Sequence, residues 1–265
     1  MKNVIINPPC QTSFKIITNC EDLIRLLKLK YGKYLTASSS SNYTKSIIAV
    51  KKDGVYQVEY ANTTVRDKSG AYAIDEIITN NTIYDENIFA IHGAAVEWNE
   101  KAYLFLASTT SGKSTLTSFL TANGLGYITD DCILLDRKNF YVYPFNTPIH
   151  LRDGGLKILK SIHAAPDNLE TSDDEKFERY VYTPANCIDK PVALDKIFFI
   201  IRTENENLLS PMNTTERMIA LMKSPITSYT VTPEYLRFLS RLARKDCFYL
   251  NYCDMDFVLD VIKNG

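Results

Sequence analysis

The sequence predicts an α/β protein, and two observations lead to this prediction. The segment KIFFIIR (residues 196–202) is a short apolar run of the kind found in a strand covered on both faces. The apolar segment KAYLFLA (residues 101–107) leads through a short polar loop into GKSTLTSFLTANG (residues 112–124), whose apolar residues share one helical face. Strand, loop and helix in this order indicate a sheet with helices packed against it.

The first part of the chain predicts a small α+β portion. Leucines at helical spacing in EDLIRLLKLK (residues 21–30) indicate an amphipathic helix. The segments SIIAV (residues 46–50) and VYQVEY (residues 55–60) are typical of strands, and Asp53-Gly54 between them favours a hairpin turn. A short helix over residues 72–79 follows. We therefore predict a domain boundary after residue 88.

Beyond that boundary the pattern predicts strands around one helix. HGAAVEW (residues 92–98) and residues 101–107 form two strands joined by a tight turn. After the helix, YITDDCILLD (residues 127–136) and FYVYPF (residues 140–145) are predicted as two paired strands. The polar, acidic stretch over residues 161–176 has no period and predicts a mobile loop.

The C-terminal part predicts three helices and one more strand. A helix covers residues 214–223, and the next begins at Thr232-Pro233-Glu234 with a hydroxyl cap and a proline in its first turn. The strand CFYLNY (residues 247–252) and a last helix over residues 255–263 complete a second domain that spans residues 89–265.

Composition excludes several classes of protein. The net charge is −1, so no overall basic field exists to attract nucleic acid or an anionic membrane, and we expect neither as a partner. The six cysteines show no CxxC or Cys/His ligand spacing, which argues against a disulfide framework or a zinc site. The N-terminus has no apolar signal region, and no run approaches the ~18 apolar residues of a membrane span. We expect a cytoplasmic protein.

The loop after the first strong strand resembles a phosphate-binding loop. The pattern G-x-x-x-x-G-K-[ST] wraps phosphates in backbone N–H groups, with a lysine on the outer oxygens and a hydroxyl on Mg²⁺. Here ASTTSGKS matches it except that alanine replaces the first glycine. A chance GKST at a helix start is the alternative, but the strand before it and the helix after it favour the loop. The predicted cofactors are ATP and Mg²⁺, and the predicted binding residues are Ala107, Ser108, Thr109, Thr110, Ser111, Gly112, Lys113, Ser114 and Thr115.

Two adjacent acids follow one helix later. Phosphoryl transfer needs a carboxylate near the metal and another that accepts a hydroxyl proton, so we predict catalytic roles for Asp130, Asp131 and Lys113. Ser114 and Asp131 are the predicted metal partners. The alternative is a pair of aspartates that only form a turn or a helix cap. Neighbouring residues of a strand face opposite ways, so both acids can act only if the backbone turns there.

Two further residues are candidates. His92 opens a strand that pairs with the strand entering the loop, and we include it among the catalytic residues, although most lone histidines are surface or core residues. Arg152 is a weaker candidate for supplying positive charge to a transferring phosphoryl group, since an arginine at a strand end is more often a solvated surface residue.

Taken together, HGAAV, LFLASTTSGKSTL, GYITDDCILLD and YPFNTPIHLR resemble, in this order, the HPr kinase/phosphorylase superfamily. They are most similar to its short members associated with modification of ribosomal peptides. The resemblance implies a P-loop kinase core of HPr-kinase type, a mixed sheet flanked by helices, with ATP on the loop and phosphoserine as product. It also implies that Lys113 and Ser114 hold phosphates and Mg²⁺, that Asp130 or Asp131 deprotonates the acceptor, and that His92 completes the site.

The sequence also departs from this family. Ala107 and Thr110 stand where the family has glycines. The glycine-rich signature that serves phosphorolysis and HPr docking is missing, so the resemblance does not extend to HPr as substrate, to phosphorolysis or to a hexamer. It covers residues 91–152 well, and only the strand over residues 196–202 beyond them.

The predicted function is transfer of the ATP γ-phosphoryl group to a serine or threonine of a peptide or small protein, such as a ribosomal peptide precursor. In this hypothesis residues 89–265 are catalytic and residues 1–88 bind the substrate or act as a lid. A small-molecule hydroxyl kinase and a non-catalytic nucleotide-sensing or peptide-binding module are the alternatives. A groove or sheet edge in residues 1–88 would favour a peptide, and a closed pocket a small molecule. The acceptor, the oligomeric state and the choice of base stay open.

Overall fold

The computed structural model describes residues 1–9, 12–37, 45–83, 87–108, 111–166, 169–174, 177–225 and 231–265. These residues form two compact units, Met1–Ile88 and Phe89–Gly265. Each unit places helices against a sheet that contains both parallel and antiparallel pairs. The predicted α/β class, with mixed sheets flanked by helices, is confirmed.

The first unit contains one sheet and two helices. Its strands are β1 (Lys2–Ile6), β2 (Phe14–Thr18), β3 (Leu35–Ala37), β4 (Lys45–Lys52), β5 (Val55–Tyr60) and β6 (Thr63–Asp67), and its helices are α1 (Glu21–Tyr31) and α2 (Gly70–Ile83). The strand order is β3-β1-β2-β4-β5-β6. The predicted hairpin is confirmed, because Asp53 and Gly54 both have positive φ (51° and 79°), as a two-residue turn requires.

Alternation along the strands builds the core of the first unit. Phe14, Ile16 and Ile47 are fully buried while their neighbours in sequence are partly exposed. The buried side of α1, with Leu23 and Leu27, packs in the same layer. The unit therefore has its own apolar core.

The second unit contains the remaining elements. Its strands are β7 (Ile88–Trp98), β8 (Lys101–Leu106), β9 (Gly126–Thr129), β10 (Cys132–Asp136), β11 (Tyr141–Tyr143), β12 (Ile149–Leu151), β13 (Thr171–Asp174), β14 (Phe177–Tyr182), β15 (Val192–Arg202), β16 (Leu208–Pro211) and β17 (Asp246–Tyr252). Its helices are α3 (Lys113–Ala122), α4 (Asp153–Ser161), α5 (Thr214–Met222), α6 (Pro233–Leu242) and α7 (Met255–Asn264). The last three helices and the strand between them agree with the predictions.

The main sheet of this unit has the order β11-β10-β7-β8-β15-β17-β16, with β9 paired to β7. Strands β8, β15 and β17 are parallel to one another. Both β8 and β9 are antiparallel to β7, so β9 runs in the same direction as β8. The carboxyl ends of β8, β9, β15 and β17 therefore lie at one edge of the sheet, which is where α/β proteins place their ligands.

Helices cover both faces of this sheet. On one face α3 and α7 pack against β8 and β15, with Phe105 and Phe198 between them. On the other face α5 and α6 pack against the same strands, with Leu104 and Ile197 buried there. The continuous apolar run of β15 is thus explained by burial from both sides.

Two predictions about this unit are wrong in detail. Residues 127–136 do not form one strand, because the backbone turns at Asp131, where φ is 68°, and separates β9 from β10. The predicted mobile loop contains strand β13, which pairs with β14 in the small sheet β12-β14-β13. Its sequence TSDD has no apolar period, so only the backbone pairing reveals it. Residues 167, 168, 175 and 176 of that stretch lie outside the described part of the chain.

No helix in the described ranges is long and apolar enough to cross a membrane.

Candidate active site

The predicted phosphate loop joins the end of β8 to the start of α3. Gly112 at its end is left-handed, with φ 90° and ψ 13°, as only glycine adopts at low cost. Ala107 is not among the described residues with positive φ. Alanine in place of glycine therefore introduces no left-handed strain at the first loop position. Thr109 and Thr110 lie outside the described residues.

The first turn of α3 offers free backbone donors to this loop. The first helical hydrogen bond runs from the Leu116 N–H to the Gly112 carbonyl at 2.9 Å. The N–H groups of Lys113, Ser114 and Thr115 therefore have no acceptor within the helix. Together with the helix dipole, such groups form an anion-binding position, the arrangement that a phosphate requires.

Lys113 is buried and turned back over the loop. Its side-chain ammonium donates to the carbonyl of Ala107 at 2.9 Å and to that of Ser108 at 3.0 Å. Burial lowers the pKa of Lys113, and the charges of Asp131 and Asp130 oppose that effect. The ammonium thus lies within electrostatic reach of both acids, and a phosphate must compete with two loop carbonyls for it.

The two acids lie on the tight turn between β9 and β10. The Cys132 N–H donates to the Asp130 carbonyl at 2.9 Å, and Asp131 has the left-handed φ of 68°. The turn buries Asp130, which is 5% exposed, and leaves Asp131 exposed to solvent. Both acids follow the end of β9 and so lie at the same sheet edge as the loop, and the turn frees them from the opposite-face alternation of a regular strand.

Asp130 lies beside Ser114 in the first turn of the loop helix, close enough for the Ser114 side chain to affect its pKa. Asp130 Oδ1 is buried with no hydrogen-bond partner among the described residues. Burial, and then the charge of Asp131, raise the pKa of Asp130 to about 8, although Ser114 and Lys113 act in the opposite direction. A cation bound at this carboxylate would relieve its desolvation.

His92 reaches the same turn from β7. Its Nδ1 lies 3.2 Å from the Asp131 carbonyl oxygen. Since a carbonyl can only accept, this contact assigns the proton to Nδ1 and leaves a lone pair on Nε2, which is buried without a partner among the described residues. Burial and then the charge of Lys113 lower the pKa of His92, so the ring is neutral at pH 7.

Only glycine fits at the position after His92, because a side chain there would collide with the neighbouring strand. A Cβ at Gly93 would lie 2.6 Å from Leu106 Cδ2 and 2.7 Å from the Phe105 carbonyl oxygen. Gly93 pairs with Leu106, the last residue of β8, so His92 is level with the start of the phosphate loop. Close approach of the two strands therefore carries the histidine into the site.

The start of α4, which Arg152 caps, lies next to Thr115. Arg152 is the N-cap residue of α4 and is exposed. Three residues later, a Cβ at Gly155 would lie 3.0 Å from Thr115 Oγ1, so the first turn of α4 packs on the first turn of α3. The fold thus brings the segment of Arg152 next to the phosphate-loop helix.

One supporting residue was missed by the sequence analysis. Asn146 is buried and its amide donates to the carbonyls of Tyr127 and Ile128, at 2.9 Å each. The Phe145 N–H also donates to Ile128, at 3.0 Å. These bonds hold β9 just before Asp130. The available signal was Asn146 in the apolar segment PFNTP, where a buried amide needs partners.

Comparison with known proteins adds little to this geometry. No protein-family model and no curated protein matches the sequence. Among solved structures, the HPr(Ser) kinase/phosphatase from Coxiella burnetii is similar to this chain with a TM-score of 0.35 and 13% sequence identity, over 66% of this chain and 94% of that chain. A likeness of this size does not establish a shared fold or function.

Proposed function

We propose that this chain is an ATP-dependent kinase that transfers the γ-phosphoryl group to a serine or threonine hydroxyl of a peptide or small protein. One observation carries the proposal. The loop at the end of β8 places the buried Lys113 within electrostatic reach of Asp130 and Asp131, at the sheet edge where the first-turn amides of α3 have no acceptor within the helix. Phosphate-binding donors beside a pair of carboxylates are the parts that phosphoryl transfer uses.

In this proposal the chain positions the triphosphate through its backbone and one cation. The N–H groups of Lys113, Ser114 and Thr115 bind phosphate oxygens, and the Lys113 ammonium exchanges the Ala107 and Ser108 carbonyls for the outer phosphates. Preorganised donors of this kind stabilise the charge that spreads over the transferred group.

Ser114 and Asp130 would hold Mg²⁺, whose charge stabilises the phosphate oxygens when it is bound. The closeness of Ser114 to Asp130 fits that role, as does the buried Asp130 Oδ1, which has no hydrogen-bond partner among the described residues. We therefore propose Asp130, rather than Asp131, as the carboxylate partner of Ser114. No cluster of three or more His, Cys, Asp or Glu side chains that could hold a metal occurs in the described part of the chain. A site shared with phosphates needs only one or two protein ligands.

Asp131 is then the proton acceptor. It is exposed at the open edge of the sheet, where an acceptor hydroxyl can reach it, and the His92 ring fixes its backbone carbonyl. Asp130 is a poorer base in the free protein, because a carboxyl with a pKa of about 8 is protonated at pH 7. The peptide or protein nature of the acceptor is supported by the sequence resemblance and by the exposure of Asp131.

A second candidate is a nucleotide-sensing module without turnover. The two hydrogen bonds from Lys113 to its own loop favour this alternative, since they occupy the ammonium that transfer requires. Both candidates bind a nucleotide, but only the kinase transfers a phosphoryl group.

The proposal is tested by binding and transfer together. Isothermal titration with Mg-ATP should show binding to the wild type and its loss in Lys113→Ala. Radiolabelled γ-phosphate should then appear as phosphoserine or phosphothreonine in a peptide encoded beside the gene. Binding without transfer to any such peptide would favour the sensing module. Label in a free amino acid or sugar would show a small-molecule kinase. Absence of nucleotide binding would refute the peptide kinase, the sensing module and the small-molecule kinase alike.

A further inference from the structure

A cavity of about 350 Å³ opens beside the phosphate loop, away from the two acids. Its lining consists of Ser108, Ser111, Gly112, Ile200, Ile201 and Arg202. The first three residues belong to the loop and the last three to the carboxyl end of β15, the strand next to β8. Cavities of roughly 300 Å³ and more hold small organic ligands.

Tyr252 supplies a buried polar group to the same place. It ends β17, pairs with Arg202, and is fully buried. Its hydroxyl has no hydrogen-bond partner in the described ranges and would lie 3.6 Å from a Cβ on Gly112. Ser111 Oγ is also buried without a partner there. Buried polar groups are normally paired, so two orphaned hydroxyls beside one cavity point to a polar ligand.

Arg202 lies close to this hydroxyl. Burial raises the pKa of Tyr252, and the positive charge of Arg202 opposes that rise. Ile201 beside it is 50% exposed, while Ile200 is 3% exposed and closes the apolar side of the cavity. The lining thus combines an apolar wall with one cation and the hydroxyl groups of Ser108 and Ser111. The Tyr252 hydroxyl lies next to Gly112, beside this lining. This combination suits a flat base with a hydroxylated sugar.

The sheet order separates this cavity from the acids. On one side of β8 lies β7, which carries His92 and pairs with β9. Asp130 and Asp131 follow the end of β9. On the other side are β15 and β17, with Arg202 and Tyr252. In an in-line transfer the acceptor and the leaving nucleoside diphosphate lie on opposite sides of the transferred phosphorus. If the acids mark the acceptor side, the nucleoside belongs on the β15 side.

We propose that the cavity between the phosphate loop and the ends of β15 and β17 binds the nucleoside part of ATP, with Arg202 and Tyr252 as its polar contacts and Ile201 as its apolar one. This inference rests on the proposed function, since it assumes that the loop holds the phosphates.

The test compares Mg-ATP with Mg-tripolyphosphate, which has the phosphates but no nucleoside. Affinities are measured by isothermal titration for the wild type, Arg202→Ala, Tyr252→Phe and the control Arg244→Ala. Arg244 is an exposed arginine that precedes the amino end of β17, at the edge away from the cavity. Tyr252→Phe removes a hydroxyl that bonds to no described residue, so the fold is kept.

We expect the wild type to bind ATP more tightly than tripolyphosphate. Arg202→Ala should weaken the affinity for ATP about tenfold, which is the usual contribution of a hydrogen bond to a charged group. The affinity for tripolyphosphate should stay unchanged. Tyr252→Phe should also weaken the affinity for ATP, but by a smaller factor. Equal affinity for the two ligands, or equal loss of both in Arg202→Ala, would overturn the nucleoside site and leave the kinase proposal standing. Failure of the wild type to bind either ligand would overturn both.

Discussion

At the scale of single residues, Asp130 combines a functional position with a cost to stability. Its pKa is about 8 in the folded protein, against an ordinary value of 3.8. A raised pKa means that the folded state holds the proton more tightly than the unfolded chain. Its contribution to stability is therefore fully present below pH 3.8 and is lost as the pH rises through about 8. The proposed function needs this carboxylate at a place where folding does not favour its charge.

Asp130→Asn should therefore raise the melting temperature of the metal-free protein at pH 8 and leave it unchanged below pH 4. The amide keeps the shape of the side chain and removes the buried charge. Each kcal/mol recovered corresponds to about 2–4 °C in a domain of this size. Melting curves between pH 4 and pH 9 measure the effect, with the exposed Asp189→Asn as control. Parallel curves for wild type and Asp130→Asn would show that Asp130 carries no such penalty.

In the proposed function, phosphate binding depends most on Lys113. Lys113→Ala should lower phosphoryl transfer by about 10²–10³ or more, because one preorganised cation is lost from the transition state. Circular dichroism should show the fold retained. Lys157→Ala, an exposed lysine on the neighbouring helix α4, is the matched control. A Lys113→Ala protein that transfers phosphate at the wild-type rate would contradict the assigned site.

At the scale of elements, the strand β8, the loop and α3 carry the proposed phosphate site. The family resemblance raised the question of whether Ala107 weakens the loop. Because Ala107 has no positive φ and the left-handed conformation is at Gly112, glycine at position 107 would relieve no strain. The missing first glycine therefore leaves no left-handed strain at position 107.

We predict that Ala107→Gly changes the affinity for Mg-ATP by less than about twofold, whereas Gly112→Ala costs about 1–2 kcal/mol of stability from its left-handed φ and weakens binding. Titration of both variants with Mg-ATP measures the contrast. If Ala107→Gly bound the nucleotide ten times more tightly, the loop would be impaired as it stands, contrary to this account.

The element β9 depends on support from outside its own sequence. Asn146→Ala should destabilise the protein by about 1–3 kcal/mol, since two buried carbonyls each lose one of their two donors. It should also slow phosphoryl transfer, because the turn with Asp130 follows directly. Urea unfolding and the transfer assay measure the two effects. Asn139→Ala, at an exposed asparagine, serves as control. An Asn146→Ala protein that is as stable and as active as the wild type would show that this support is dispensable.

Local sequence patterns were sufficient to predict much of the fold. The hairpin of β7 and β8, the helix α3 and the central strand β15 follow from apolar period and turn residues. The turn at Asp131 does not, since a left-handed aspartate leaves no local signature. Arg202 and Tyr252 reach the loop only through the parallel pairing of β15 and β17, which joins segments about fifty residues apart in the chain.

At the scale of the whole molecule, two units with separate cores suggest a division of labour. Each unit buries its own apolar residues, so the second unit should fold alone. We predict that residues 88–265 bind Mg-ATP with unchanged affinity but lose phosphorylation of a peptide acceptor. Titration and transfer assays on this fragment and on the full chain measure both. Full transfer by the fragment would show that the first unit does not bind the acceptor.

The central claim is that the loop after β8 holds the terminal phosphates of ATP. The most direct test is a crystal structure of the protein with Mg²⁺ and a non-hydrolysable ATP analogue. We predict that the Lys113 ammonium leaves the carbonyls of Ala107 and Ser108 and lies about 2.8 Å from phosphate oxygens, with Ser114 and Asp130 at the metal. A complex in which the analogue binds elsewhere, while Lys113 keeps both loop carbonyls, would contradict the account.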